Sequence, residues 1–238
     1  WTQLINGSDV NGCTQVTMQL TGASGFVFGA CGNFAQGTVY RADDTDASTF
    51  TSVLSAAGMG RSSLAVAPSN PAIVYVMSAS TTPGGLGPDG LHAVYRSLSN
   101  GDSGSFSTRM DAKAGAIAVN HTLLSNPVFA FSTCVGGSTG FFNQGWYDNV
   151  LAVDPADPNR VWAGGVDLFR SDDGGVNWGT AGYWWFDKGS DSEYHHADQH
   201  AIVFHPQYNG TSNKILFSGS DGGIERIDDA RGPVNTTL

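Results

Sequence analysis

The chain has 238 residues, of which 40% are hydrophobic, and a formal net charge of −10. This length suffices for one large core or two smaller ones, and 32 glycines with only 13% charged residues favour short strands and turns over long helices. The acidic balance argues against a nucleic-acid or anionic-membrane partner, because either needs a basic surface. No run of about 18 apolar residues occurs in the sequence, so no transmembrane segment is predicted.

The first two predicted units are residues 14–54 and 61–110. The first has two apolar strands around a Gly-Ala-Ser-Gly turn, and the second has two apolar strands around a turn that contains Pro68 and Pro71. Proline cannot donate to a sheet ladder, so two prolines this close require a turn between the strands. Each unit therefore begins with an antiparallel hairpin.

The chain continues with an insertion, residues 111–147, and two more units. The insertion contains a predicted strand pair at 115–119 and 127–131. The third unit, residues 148–180, repeats the proline turn of the second, and the fourth unit, residues 197–230, is a looser copy.

An arginine occupies the same place in the third strand of every unit. The four are Arg41, Arg96, Arg170 and Arg226. Their spacing fits propeller blades of about 40–50 residues that carry insertions. We therefore predict an all-β chain, a β-propeller of about four blades, each a four-stranded antiparallel sheet. The strands near 14–20, 63–67, 150–153 and 200–204 are expected to be innermost. Four blades leave open sheet edges, so remaining blades of the same or another polypeptide are expected to complete the propeller.

One turn in the third unit has a distinctive spacing. Ser171, Asp173, Gly175 and Trp178 follow the pattern Ser-x-Asp-x-Gly-x-x-Trp. This pattern resembles the Asp box, or BNR repeat, of sialidase-like and sortilin-like β-propellers, although Asn177 replaces the usual threonine. The order of motifs along the chain is similar to that of large secreted bacterial proteins with such propellers. The resemblance implies a secreted protein, extracellular or at the cell surface, with a glycosyl hydrolase-like fold that does not by itself determine an activity.

Two functions are consistent with these patterns. The first is an extracellular binding or scaffold module for a protein or carbohydrate ligand. The alternative is a glycoside hydrolase, sialidase-like or xyloglucanase-like, whose catalytic carboxylates lie partly outside this segment. A sialidase needs three converging arginines, and four of the eight here hold the repeated structural position. A glycosidase needs two carboxylates. The candidates are Asp148, Asp167, Asp198 and Asp221, and the sequence does not single out a pair.

The most unusual chemistry is the run that contains His196, Asp198 and His200. Side chains alternate along a strand, so these three would lie on one face of it. Two imidazoles and a carboxylate could bind Zn²⁺ or another divalent metal, or they could form a hydrogen-bonded polar layer at the inner end of the fourth unit. Otherwise no cofactor is expected.

Aromatic and cysteine residues leave further alternatives open. Trp146 and Tyr147, and likewise Trp184 and Trp185, could stack on a ligand or fill the wedges between blades. Cys13 and Cys31 could pair across adjacent strands in an oxidising compartment, leaving Cys134 unpaired, or all three could be buried thiols.

Overall fold

The computed structural model is all-β. It describes residues 1–7, 10–21, 24–45, 48–82, 88–112, 122–126, 142–186, 188–189 and 193–236. In these residues all ladders between named strands are antiparallel, and no helix has the length and apolar character needed to cross a membrane. The strand pair predicted at 115–119 and 127–131 lies outside the described residues, as does Cys134.

The first two blades are four-stranded antiparallel sheets in which each strand pairs with the next along the chain. Blade 1 consists of β1 (Cys13–Thr21), β2 (Ser24–Cys31), β3 (Thr38–Asp43) and β4 (Thr51–Leu54). Blade 2 consists of β5 (Met59–Val66), β6 (Val74–Ser80), β7 (Leu91–Ser97) and β8 (Ser107–Asp111). A disulfide joins Cys13 to Cys31, which face each other in the ladder between β1 and β2.

Blades 3 and 4 follow after a two-stranded sheet formed by β9 (Ser125–Asn126) and β10 (Phe142–Asn143). Blade 3 consists of β11 (Val150–Val153), β12 (Val161–Gly164), β13 (Leu168–Ser171) and β14 (Gly179–Gly182). Blade 4 consists of β15 (Gln199–Phe204), β16 (Leu216–Ser220) and β17 (Gly223–Ile227). Within the described residues this last sheet therefore has three strands instead of the four that we predicted.

The first strands of the blades lie next to one another in chain order, β1 beside β5, β5 beside β11 and β11 beside β15. This adjacency is the radial arrangement of a β-propeller, and it confirms the predicted fold class and the predicted innermost strands. Side-chain amides reinforce the contact. Gln15 donates to the Leu64 carbonyl at 2.9 Å and accepts from the Leu64 N–H at 2.8 Å.

The hydrophobic core is divided among the wedges between adjacent blades. Phe28 and Leu64 pack between blades 1 and 2, and Trp162 and Leu216 pack between blades 3 and 4. The wedge between blades 2 and 3 contains Trp178, which is almost fully buried. Alternate side chains of each strand thus enter opposite wedges, so neighbouring blades hold one another in place.

The repeated arginines connect blades at their turns. Arg41 donates to the Asn100 carbonyl of blade 2 at 2.7 Å, and Arg96 donates to the Asn159 side chain of blade 3 at 2.8 Å. Arg170 donates to two backbone carbonyls in the segment after β17, at 2.7 and 3.0 Å. These three guanidinium groups therefore serve separate interblade contacts and do not converge on one ligand.

Candidate functional site

The residues of interest gather at the end of the molecule where β5, β11 and β15 begin, which we call the upper face. Residues 144–148 precede β11, residues 196–198 precede β15, and the turn between β16 and β17 contains Asp221. The opposite end is the lower face. The first strands of adjacent blades run side by side. The segments that precede them therefore lie close together, although they are distant in sequence.

A pair of carboxyl groups, one buried and one half-buried, forms the base of this cluster. Asp148 is fully buried and is hydrogen-bonded to the Asp198 side chain. The Gln144 amide donates to both, at 3.2 Å to Asp148 Oδ2 and 2.7 Å to Asp198 Oδ1. Two carboxyl groups can share a hydrogen bond only if one of them carries a proton.

Asp148 is the group that carries the proton. Burial, then the hydrogen bond to Asp198 and the negative charges of Asp198 and Asp221, raise the pKa of Asp148 to about 9, against the opposing effect of Arg61. The neutral form is favoured because an ionised carboxylate loses its hydration on burial. At neutral pH Asp148 is therefore an acid, and it donates to Asp198.

Asp221 lies nearer the surface than this pair, and its pKa is shifted in the opposite direction to that of Asp148. Its Oδ1 accepts from His200 Nε2 at 2.6 Å and from the Tyr147 hydroxyl at 3.0 Å. The bond from His200, followed by that from Tyr147, lowers the pKa of Asp221. The same bond to Asp221 raises the pKa of Tyr147. On its other side, His200 Nδ1 lies 3.9 Å from Asp148 Oδ1, so one imidazole ring separates a protonated carboxyl from an ionised one.

The prediction that His196, Asp198 and His200 share one face of a strand is wrong. Strand β15 begins only at Gln199, and Asp198 has a φ of 67°, in the left-handed region. This conformation interrupts the alternation of side chains, so His196 and Asp198 lie in the irregular segment before the strand. The His196 ring lies over Gly222, at a distance where any Cβ on residue 222 would overlap it.

The three residues have different partners. Asp198 joins the carboxyl pair, His200 joins Asp221, and His196 Nδ1 lies 3.0 Å from the Ala197 carbonyl. Among the residues that the structure describes, no group of three or more His, Cys, Asp or Glu side chains is arranged so that it could hold a metal ion.

Three aromatic rings form an exposed row beside the carboxyl groups. Phe34, in the loop between β2 and β3, lies 5.9 Å from Trp146, which lies 5.4 Å from Tyr147 (ring centroids). Their exposed fractions are 71%, 40% and 37%. Arg61 fixes this segment, because its Nη1 donates to the carbonyls of Trp146 (2.6 Å) and Tyr147. The Tyr147 ring also meets His200 edge to face, at 4.8 Å.

The second predicted aromatic group lies apart from this row. Trp184 and Trp185 follow β14 and pack with Tyr183 and Phe186, with centroid distances from 4.5 to 6.2 Å. Both tryptophans are half-buried. The backbone N–H of Trp184 donates to Asp167, the fourth candidate carboxyl, at 3.3 Å. Complete burial raises the pKa of Asp167 well above its usual value.

The turn with the Ser-x-Asp-x-Gly-x-x-Trp spacing lies on the lower face, far from these groups. The Ser171 hydroxyl donates to Asp173 and accepts from the Gly175 N–H, both at 2.9 Å. Asp173 accepts from two further backbone N–H groups, and the Trp178 indole donates to the Gly175 carbonyl at 3.1 Å. Gly174 and Gly175 have φ of 77° and 89°, which glycine adopts without strain. These residues stabilise a turn.

Sequence reasoning did not identify three contributors to the upper face: Phe34, Arg61 and Gln144. Their residue types and neighbours carry no distinguishing signal, since each becomes significant only through a partner in another segment. Phe34, for example, belongs to blade 1, whereas Trp146 precedes blade 3.

Comparisons with known proteins yield distant similarity. No family model matches the chain, and no curated protein sequence matches it. A GH74 xyloglucanase from Xanthomonas campestris aligns with a TM-score of 0.48 and 19% identity, over 92% of this chain and 32% of its own. YCF48 from Cyanidioschyzon merolae aligns with a TM-score of 0.49 and 13% identity, over 93% of this chain and 52% of its own. A GH74 enzyme from Niastella koreensis aligns with a TM-score of 0.38 and 13% identity, over 94% and 30%. The chain thus spans from 30% to 52% of the length of these proteins.

Proposed function

We propose that this chain is a binding module whose upper face takes a neutral carbohydrate. The observation that carries the proposal is the exposed row of Phe34, Trp146 and Tyr147 beside the ionised Asp221. Aromatic faces stack on the apolar faces of sugar rings, and an ionised carboxylate accepts strong hydrogen bonds from hydroxyl groups. The two features together suit a polyhydroxylated ligand with flat apolar faces.

Charge supports a neutral ligand over an acidic one. The chain has a net charge of −10, and Asp221 is ionised at the site. The nearby Arg61 is partly buried beneath Trp146 and Tyr147, and its Nη1 already donates to two carbonyls. Acidic polysaccharides would therefore meet repulsion without a compensating free cation from this guanidinium.

Affinity gel electrophoresis tests this proposal. The 238-residue chain is run through gels that contain xyloglucan, mixed-linkage β-glucan or galactomannan, with alginate as the acidic comparison. We expect retardation by at least one neutral polymer and not by alginate. Trp146→Ala should weaken that binding about tenfold, which corresponds to about 1.4 kcal/mol of lost stacking. Leu98→Ala, which removes an exposed apolar side chain following β7 on the lower face, is the matched control and should bind like the wild type.

Retardation by alginate alone, or by no polymer at all, would contradict a neutral carbohydrate ligand. A Trp146→Ala protein that binds as well as the wild type would show that the ligand lies elsewhere. The sequence also suggests a protein ligand. If no polymer retards the chain, a protein partner would be the remaining explanation for the exposed row of aromatic rings.

A glycoside hydrolase is the second candidate, and one observation favours it. A protonated Asp148 and an ionised Asp221 lie on opposite sides of the His200 ring, which is the acid and base pairing that glycosidases use. The full burial of Asp148 separates this acid from any ligand on the surface, which is why binding is the first proposal. Release of reducing ends from the retained polymer, abolished by Asp221→Asn, would establish hydrolysis. Binding without release of reducing ends would leave the binding module as the function.

We also propose that the module is a sortilin-like Asp-box propeller that acts outside the cell. The hydrogen bonds of Ser171 and Asp173 support the assignment of the turn. The disulfide between Cys13 and Cys31 supports an oxidising compartment, because cytosolic thiols stay reduced. Intact mass of the protein from its native cells, with and without reduction before alkylation, tests the location. Two alkylated cysteines gained only after reduction are expected.

Further blades, from the same or another polypeptide, are the proposed structural partners. Alternate side chains of β1 form an exposed apolar row: Val16, Met18 and Leu20. The other side of this strand faces blade 2 through Gln15 and Gln19. A blade packed on the row would bury it as the other wedges are buried.

A further inference from the structure

A polar cleft lies between blades 3 and 4, away from the aromatic row. Its volume is about 520 Å³, which is the size of a small-ligand site. Leu168 and Ala181 of blade 3 form one side, and Glu225 and Ile227 of blade 4 form the other. His195, which is almost fully buried, also lines the cleft.

Glu225 has an unused hydrogen-bond acceptor in this cleft. Its Oε1 accepts from the His196 N–H at 3.0 Å. Its Oε2 is buried and has no hydrogen-bond partner among the described residues. A carboxylate oxygen that is withdrawn from water without a donor is costly, so the position is suited to a donor that a ligand supplies.

The neighbouring cations are already paired with other carboxylates. Arg226 binds Asp228, with an N–O distance of 2.5 Å, and Lys214 binds Asp229. Within the described part of the chain, no lysine or arginine pairs with Glu225 or with Glu193, the other glutamate of the cleft. These two carboxyl groups of the cleft therefore have no lysine or arginine partner within the described residues.

His195 does not supply the missing charge. Its Nδ1 lies 2.6 Å from the His196 carbonyl, to which it donates, and its Nε2 lies 3.3 Å from the Leu168 N–H, from which it accepts. A ring with one donor and one acceptor nitrogen is neutral. Burial lowers the pKa of His195, against the opposing effects of its hydrogen bonds to the His196 and Gly182 carbonyls and of the charge of Glu225.

We propose that this cleft binds a primary ammonium group on an alkyl chain, as in a lysine side chain of a partner protein or a free alkylamine. The ammonium group would donate to Glu225 Oε2, and Glu193 would add attraction at the entrance. The methylene groups would lie along Leu168, Ala181 and Ile227, since a lysine stem packs on apolar surface while its charged end is solvated or paired. The site is independent of the carbohydrate proposal.

Titration of the isotope-labelled 238-residue chain, followed by NMR, tests this inference. The probes are Nα-acetyl-lysinamide and n-butylamine, with Nα-acetyl-norleucinamide as an uncharged control of similar shape. We expect both amines to shift the resonances of Ile227 and Ser218, and norleucinamide to leave them unchanged. Tighter binding of lysinamide would identify a peptide side chain as the source, and equal binding would identify the free amine.

The Glu225→Gln variant separates the ammonium contact from folding. Glutamine keeps an oxygen that accepts from the His196 N–H, so the spectrum should show a folded chain, and amine affinity should fall about tenfold or more. Asp228→Asn, at a carboxylate already paired with Arg226, is the matched control and should change affinity little. Equal affinity of Glu225→Gln and wild type, or equal shifts with norleucinamide, would overturn the proposal.

Discussion

Replacement of Asp148 by asparagine should make the fold more stable relative to the wild type as the pH rises. Asp148 is fully buried, and burial together with Asp198 raises its pKa to about 9. In the unfolded chain an aspartate has a pKa of about 3.9. Between these values the folded state binds a proton that the unfolded state has lost, so the free energy of unfolding falls as pH rises.

The magnitude follows from the same linkage. The free energy of unfolding of the wild type should fall by about 1.4 kcal/mol per pH unit through this group, hence by about 2.7 kcal/mol between pH 5 and pH 7. The Asp148→Asn variant would lack this loss, because the asparagine amide donates to Asp198 at every pH and its oxygen still accepts from Gln144. Urea unfolding of both proteins at pH 5, 6 and 7 measures the difference.

Asp102→Asn, at an exposed aspartate, is the matched control. It shows how the same substitution at the surface changes the pH dependence of the free energy of unfolding. If the difference between Asp148→Asn and wild type stays constant from pH 5 to pH 7, Asp148 is ionised in the folded protein. The folded protein would then have no protonated acid beside His200.

Three further predictions concern the fold. Trp178→Ala should lower the free energy of unfolding by about 3–5 kcal/mol, because the indole is almost fully buried between blades 2 and 3, whereas the exposed Val176→Ala should change it little in the same urea assay. Asp154→Ala should cost about 3 kcal/mol, since the buried carboxylate accepts from Arg231 and Tyr208 of blade 4; an unchanged unfolding midpoint would show that blades 3 and 4 do not meet there. Reduction of the disulfide, which spans 18 residues in sequence, should cost about 3 kcal/mol, and equal midpoints with and without reductant would contradict it.

The propeller could be predicted from the sequence because its signals are local and repeated. Two prolines within four residues specify the turn between β5 and β6, and the same pattern recurs between β11 and β12. The arginine of each third strand then marks the blades. Such signals need only a few adjacent residues, so they can be interpreted without knowledge of how blades pack.

The upper face could be predicted only in part. Asp148, Asp198 and Asp221 were candidate carboxyl groups, but their pairing depends on how β11 and β15 lie side by side, and no local pattern encodes this. The alternation rule does not hold at Asp198, because an aspartate can adopt positive φ and strand β15 begins only at the next residue. Phe34 reaches Trp146 from another blade, which only the radial packing reveals.

A chemical-shift map shows whether the ligand lies on the upper face. An oligosaccharide cut from the polymer that retards the chain in gels would be titrated into isotope-labelled protein. We predict that the largest changes fall on Phe34, Trp146, Tyr147 and His200, with saturation at one affinity. Changes centred on the lower-face turn at 171–178, with the upper-face resonances unmoved, would contradict a ligand site on the upper face.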